Sequence, residues 1–273
     1  MTNRRQSGNK NTQEVHKPFL TGSVFDERTL KNCLFFFGSL IIVFFIAFIA
    51  CATASFGNVI LRLLFNAAVI ILALFIFFNN GSKRGTDDVT RGEILYQKKE
   101  KGQEFTESER RICFHPMKGY LTALIGTLPF LILAVYLALN TSIQMTGAGT
   151  LPSWMQAYTK RSDIGNALVS YLQPEGMKLL DYIRALVRIM VMPFVNIAGA
   201  GNKAGILLIE RLSPLILLLP AASYGTGYLT GRNIRTQVHT AISTNDRKRI
   251  RRENRRRAAR NGGGRRDEPE QLN

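Results

Sequence analysis

An uncharged and strongly apolar run at residues 33–55 constrains this chain more than any other feature. As a helix rising ~1.5 Å per residue, a run of that length crosses a bilayer core of about 30 Å. Three further apolar stretches follow, at 63–78, 120–139 and 213–231. The sequence therefore predicts an all-α integral membrane protein with four transmembrane helices, with five or six as the alternative.

The uneven distribution of charge predicts how these helices are oriented. The mean hydropathy is only +0.01 because polar segments offset the apolar ones. Residues 232–273 carry thirteen Lys/Arg against five Asp/Glu, and residues 1–31 carry six against three. By the positive-inside rule, we expect both termini on the cytoplasmic side, with the cell membrane as the location.

Polar segments divide the chain into seven predicted parts. The first segment has few large apolar residues that could offset chain entropy, so we expect it to be disordered. Gly57 and Asn58 favour a tight turn between the first two spans. The predicted parts are a disordered cytoplasmic leader (1–31), a transmembrane hairpin (32–78), a charged cytoplasmic loop with short helices (79–118), a third transmembrane helix (119–140), an extracytoplasmic loop (141–212), a fourth transmembrane helix (213–231) and a flexible, basic cytoplasmic tail (232–273).

The extracytoplasmic loop contains an amphipathic pattern at 178–191. Lys178, Arg184 and Arg188 fall on one helical face, and apolar residues take the opposite side. This pattern predicts an interfacial helix whose cationic face points toward lipid headgroups. A fifth span at 182–200 is the competing interpretation, but it would bury Arg188 and place the basic tail outside.

Four polar residues near membrane depth form a candidate intramembrane polar site. Arg62 and Asn66 lie one helical turn apart and share a face. Glu210 and Arg211 precede Ser213 and a proline, a pair typical of a helix start. At such a start the two charges lie at the interface, whereas a helix beginning near residue 204 would carry them into the membrane.

Small residues recur every four positions in the last apolar stretch. Ser223, Gly227 and Gly231 share one helical face. Small side chains at this spacing let two membrane helices approach closely. We expect this face to pack against another helix, either within the chain or in a second copy.

The tail concentrates basic residues and lacks aromatic residues. Such a segment suits anionic lipid headgroups first, and RNA or the ribosome second. Without aromatic rings to stack on bases, any RNA binding would be electrostatic. The candidate contact residues are Arg247, Lys248, Arg249, Arg251, Arg252, Arg255, Arg256, Arg257 and Arg260.

Motifs for catalysis, cofactors and metals are absent from the sequence. Cys113 and His115 form a Cys-x-His pair without the further ligands that a metal site needs. All three histidines lie in polar segments, where we expect solvated imidazoles. The sequence therefore predicts no enzyme but a scaffold or accessory protein that docks anionic lipids, other membrane proteins or its own copies. A small transporter or channel-like subunit using the intramembrane Arg and Glu residues is the alternative.

Overall fold

The computed structural model describes residues 15–54, 57–141, 158, 161, 163, 179–199 and 202–262. This part of the chain is helical and contains no strand. Four of its helices are long and apolar enough to cross a membrane, which confirms the predicted helical class and these four apolar helices. The helices are α1 (Thr29–Thr53), α2 (Val59–Glu100), α3 (Glu107–Arg111), α4 (Lys118–Asn140), α5 (Leu179–Met190), α6 (Met192–Ala198) and α7 (Lys203–Gly262). The four long ones are α1, α2, α4 and α7.

The two longest helices, α2 and α7, pack against each other with their backbones in contact. A Cβ added at Gly85 or Gly227 would come closer than 3.0 Å to the backbone of the other helix. Glycine is therefore required at both positions if the helices are to stay this close. At ~1.5 Å per residue, α2 is about 63 Å long and α7 about 90 Å long.

An apolar core joins α1 and α4 to this pair. Phe36 of α1 meets Tyr224 of α7 edge-on, with ring centroids 5.0 Å apart. Phe37 stacks on Phe130 of α4 at 4.9 Å. Leu137 is also fully buried there. Because aromatic and aliphatic side chains fill the space between the helices, the four apolar helices form one bundle.

The structure differs from the predicted loop at 79–118. Helix α2 continues well past its apolar stretch and ends at Glu100, followed by Gly102 with a φ of 70°. The continuation is helical because Gly81 and Gly85 keep it packed on α7. The short helix α3 begins at Glu107, and its cap Thr106 accepts a hydrogen bond from the Glu109 amide at 3.4 Å.

The structure also differs from the predicted disordered leader, because residues 15–28 are packed. The Leu20 amide donates to the Gly92 carbonyl at 3.1 Å, and the Gly22 amide donates to Phe114 at 3.0 Å. The Phe19 ring meets the Phe114 ring edge-on. These backbone hydrogen bonds and the ring contact hold the segment against α2 and Phe114. The remaining residues of the leader, 1–14, lie outside the described part.

Helix α7 begins earlier and ends later than the predicted fourth span. It starts at Lys203, passes through Pro214 and Pro220, and continues to Gly262. Residues predicted as a flexible tail are therefore helical as far as 262, while 263–273 lie outside the described part. Arg and Lys are good helix formers, and they extend a helix already packed on α2.

Candidate functional site

A buried carboxylate on α7 is the centre of the first ionic cluster. Glu210 is 2% exposed. Its Oε1 lies 2.6 Å from Arg188 Nη2 and 3.4 Å from Arg184 Nε. The Thr141 hydroxyl donates a hydrogen bond to the other oxygen. We call these four residues the Glu210 cluster. Glu210 is part of the helix because α7 begins at Lys203. This is the early helix start that was predicted to carry the Glu210 charge into the membrane.

Helix α5 turns its cationic face toward the protein, which corrects the prediction that this face points to headgroups. Arg184 is 5% exposed and also lies 3.3 Å from Asp181. Arg188 is half-buried against Glu210. The Glu210 carboxylate gives both arginines an ionic partner inside the protein. Lys178 lies outside the described residues.

The competing fifth span is not one helix in the structure. Helix α5 ends at Met190 and α6 begins at Met192, with Pro193 near its start. The 12 residues of α5 are about 18 Å long, which is too short for a bilayer core of about 30 Å.

The structure divides the four residues predicted as one polar site. Arg62 and Asn66 stay together, because Asn66 Nδ2 donates a hydrogen bond to the Arg62 carbonyl at 2.6 Å, whereas Glu210 pairs with Arg188. Asn66 is fully buried, where it accepts hydrogen bonds from Cys51 Sγ at 3.2 Å and Asn196 Nδ2 at 3.3 Å. Arg62 is half-buried beside Gly199. Arg211 is exposed. Among the described contacts, none joins Glu210 to the other three residues.

A second ionic cluster surrounds Lys118, the first residue of α4. Lys118 Nζ lies 2.6 Å from Asp26 and 3.7 Å from Asp88, and it donates to the Ile112 carbonyl at 2.9 Å. The Tyr228 hydroxyl donates to Asp88 at 2.8 Å. A lysine at the start of an apolar helix usually reaches toward water, so the sequence carried no signal for this cluster.

The charge of Lys118 controls the ionisation of Asp26. Burial alone would raise the pKa of Asp26, but hydrogen bonds from Lys118 and Thr29, together with the Lys118 charge, lower it below the ordinary value. Asp26 is therefore held as a carboxylate. Its ionised form ties the leader to the first turn of α4.

A third pairing fixes α7 to the distal half of α2. Glu93 accepts from Arg235 Nε at 2.9 Å and pairs with His239 Nε2 at 2.8 Å. His239 is 6% exposed, which corrects the prediction of a solvated imidazole. The two partners are four residues apart on α7, a spacing that places them on one face. That spacing was the available sequence signal.

The predicted small-residue face lies against α2 within the chain. The Ser223 hydroxyl donates to the Leu74 carbonyl at 2.7 Å. Gly227 faces the backbone of Phe78, and Gly231 faces that of Gly85. The matching glycines of α2, at 81 and 85, repeat the same spacing of four, so they could have been found by the same rule.

The last part of α7 projects from the bundle. We call residues 245–262 the basic arm. It carries nine Lys/Arg against two Asp/Glu, and residues 245–258 are exposed. The one ion pair that its described side chains form joins Arg249 to Glu253 at 3.5 Å. The other candidate contact residues lie along the same arm, and the side chain of Arg260 is outside the described part.

The buried ionic clusters and the basic arm therefore differ in how many charged groups they leave available for a partner. The carboxylates of the buried clusters are matched by neighbouring cations, whereas most basic side chains of the arm face open solvent. No group of three or more His, Cys, Asp or Glu residues in the described part could hold a metal ion. Burial raises the pKa of the Cys113 thiol, which keeps it protonated and unreactive. The arm is the candidate site that remains open.

No protein-family model matches this chain, and neither a curated protein nor a solved structure matches it.

Proposed function

We propose that this chain is an integral membrane protein with four spans that acts as a non-enzymatic scaffold or accessory protein. The apolar parts of α1, α2, α4 and α7 cross the cell membrane, and both termini lie on the cytoplasmic side. The basic arm then docks an anionic partner. The four apolar helices support the insertion, and the distribution of Lys and Arg supports the orientation.

The continuity of α7 carries this proposal. One helix runs from the apolar bundle into the basic arm without a break. Its middle part is held on α2 by Gly227, Gly231 and the pairing of Arg235 and His239 with Glu93. A membrane anchor that holds a charged helix in a defined direction is suited to positioning a partner.

The transporter alternative has less support. It requires Arg62, Glu210 and Arg211 to line one polar path. Glu210 is instead neutralised by Arg184 and Arg188, and Arg211 is exposed on the surface of the bundle. A carboxylate paired with two guanidinium groups is better suited to holding α5 against α7 than to passing protons or ions along a path.

The test uses the full chain in nanodiscs of uncharged phosphatidylcholine, with heparin as a generic polyanion. The arm variant Arg251→Gln, Arg252→Gln, Arg256→Gln removes three charges at similar helix propensity. The control variant Lys99→Gln, Lys101→Gln, Arg110→Gln removes three exposed charges elsewhere.

We expect the wild type and the control to bind heparin alike and the arm variant to bind at least tenfold more weakly. Equal binding by all three proteins would refute the proposed docking role of the arm.

A further inference from the structure

We propose that the partner of the basic arm is duplex DNA, which it binds through the phosphates and without sequence preference. This inference rests on the proposed function and deepens it, because it selects one polyanion. Membrane lipids were the first expectation from composition. The geometry of α7 favours the nucleic acid.

The basic arm lies far from the membrane that holds the same protein. With the membrane boundary at residue 231, Arg247 lies about 24 Å further along the helix and Arg257 about 39 Å. A tilt of about 40°, the upper end for membrane helices, still leaves Arg247 roughly 18 Å away. The Debye length at physiological salt is about 8 Å. Headgroups of that membrane are therefore screened from the arm.

The charge of the basic arm is distributed around the whole helix. Successive residues are rotated by about 100°, so the basic residues of the arm reach nearly every side. A helix that lies on a bilayer needs an apolar face. Among the described residues of the arm, Ile250 is the one large apolar residue. Charge on all sides instead suits a site with phosphates on both flanks.

The dimensions of the basic arm fit the major groove of DNA. An α-helix with its side chains is about 10–12 Å across, and the major groove of B-form DNA is about 12 Å wide. The 18 residues of the arm extend about 27 Å. The major groove of duplex RNA is too narrow for side chains to read. Because the arm has no aromatic residue, single-stranded nucleic acid lacks a stacking platform.

The charge count predicts the salt dependence of binding. If about five of the nine basic residues neutralise phosphates, the slope of log K against log salt is about −4.5. Affinity should then fall about 100-fold between 100 and 300 mM NaCl. Binding should be similar for unrelated DNA sequences, because phosphate contacts carry no sequence information.

The experiment titrates a fluorescent 24-base-pair DNA duplex with the full chain in uncharged nanodiscs at several salt concentrations. The arm variant and the control variant described above are measured in parallel. We expect the arm variant to weaken binding by about 100-fold and to reduce the slope by about two to three. The control should match the wild type in both quantities.

Two comparison probes distinguish a failure of the DNA proposal from a failure of the proposed docking function. A duplex RNA of the same length and vesicles containing 30% phosphatidylserine are titrated under the same conditions, and we expect both to bind more weakly than the DNA. Tighter binding to RNA or to vesicles would overturn the DNA proposal and leave the docking function standing. No binding to DNA, vesicles or heparin would overturn both.

Discussion

Replacing Gly227 with valine should separate α2 from α7 and destabilise the bundle. An added Cβ at this position would overlap the carbonyl oxygen of Phe78 and would lie 2.8 Å from its carbonyl carbon, whereas ordinary Cβ contacts begin at 3.4 Å. The helices must therefore separate by at least 3.4 − 2.8 = 0.6 Å. Phe78 backbone atoms cannot rotate away as a flexible side chain could. Gly38 on α1 provides the control, because a Cβ there meets nothing within 4 Å.

The expected magnitude follows from packing and helix propensity. Overpacking a close contact costs about 1–3 kcal/mol. Glycine and valine differ by only about 0.4 kcal/mol in helix propensity, so that contribution is small at both positions. We expect Gly227→Val to lower the free energy of unfolding by about 2–3 kcal/mol, and Gly38→Val to change it by less than about 0.5 kcal/mol.

The native cysteines supply the assay. Cys33, Cys51 and Cys113 are free and buried, so a thiol-reactive fluorescent dye reports the temperature at which the bundle opens. Gly227→Val should unfold several degrees below the wild type in the same detergent. Gly38→Val should unfold at the same temperature as the wild type. Equal unfolding temperatures for the two variants would refute the close contact between α2 and α7.

Three further predictions concern the buried charges. Lys118→Met should cost about 3–5 kcal/mol in the same dye assay, because it removes the ammonium group that pairs with the buried Asp26 and Asp88; an unchanged unfolding temperature would contradict the cluster. Glu210→Gln should cost at least about 2 kcal/mol, because it removes the buried carboxylate that pairs with both Arg184 and Arg188; stability equal to the wild type would argue against that burial. Because the folded-state pKa of Asp26 is lowered, its stabilisation is present above the ordinary aspartate pKa and is lost as the pH falls through the folded value. The stability gap between the wild type and Asp26→Asn should therefore close on acidification; a gap independent of pH would contradict the pairing.

Hydrophobic runs were sufficient to predict the helical class and the four apolar helices. The small-residue face was predicted from the four-residue spacing of Ser223, Gly227 and Gly231. Helix ends were harder to predict because polar composition alone does not distinguish a loop from a helix that is packed on another helix. Residues 79–100 are polar, yet Gly81 and Gly85 hold them on α7. The same reason explains α7, whose basic residues continue a helix that began in the bundle.

The buried ion pairs could not be predicted from the sequence, because their members come from distant parts of the chain. The sequence pattern predicted that Arg184 lies at the membrane interface. In the structure its Nε lies 3.4 Å from Glu210 Oε1. Lys118 is paired with residues from the leader and from α2. Single residues separated by such distances share no local pattern. The composition was sufficient to identify the basic residues of the arm. The direction of the arm follows only from the structure, in which α7 continues into it without a break.

The most direct test of the account measures how far the basic arm stands from the bilayer. Asn254 is exposed, so Asn254→Cys accepts a spin label while the native cysteines remain buried. Relaxation by a paramagnetic metal chelated to lipid headgroups then reports the distance in uncharged and in anionic nanodiscs. A continuous α7 predicts about 35 Å from the headgroups along the helix, and at least roughly 26 Å at a tilt of about 40°, in both. A label in contact with the headgroups of either nanodisc would contradict the account.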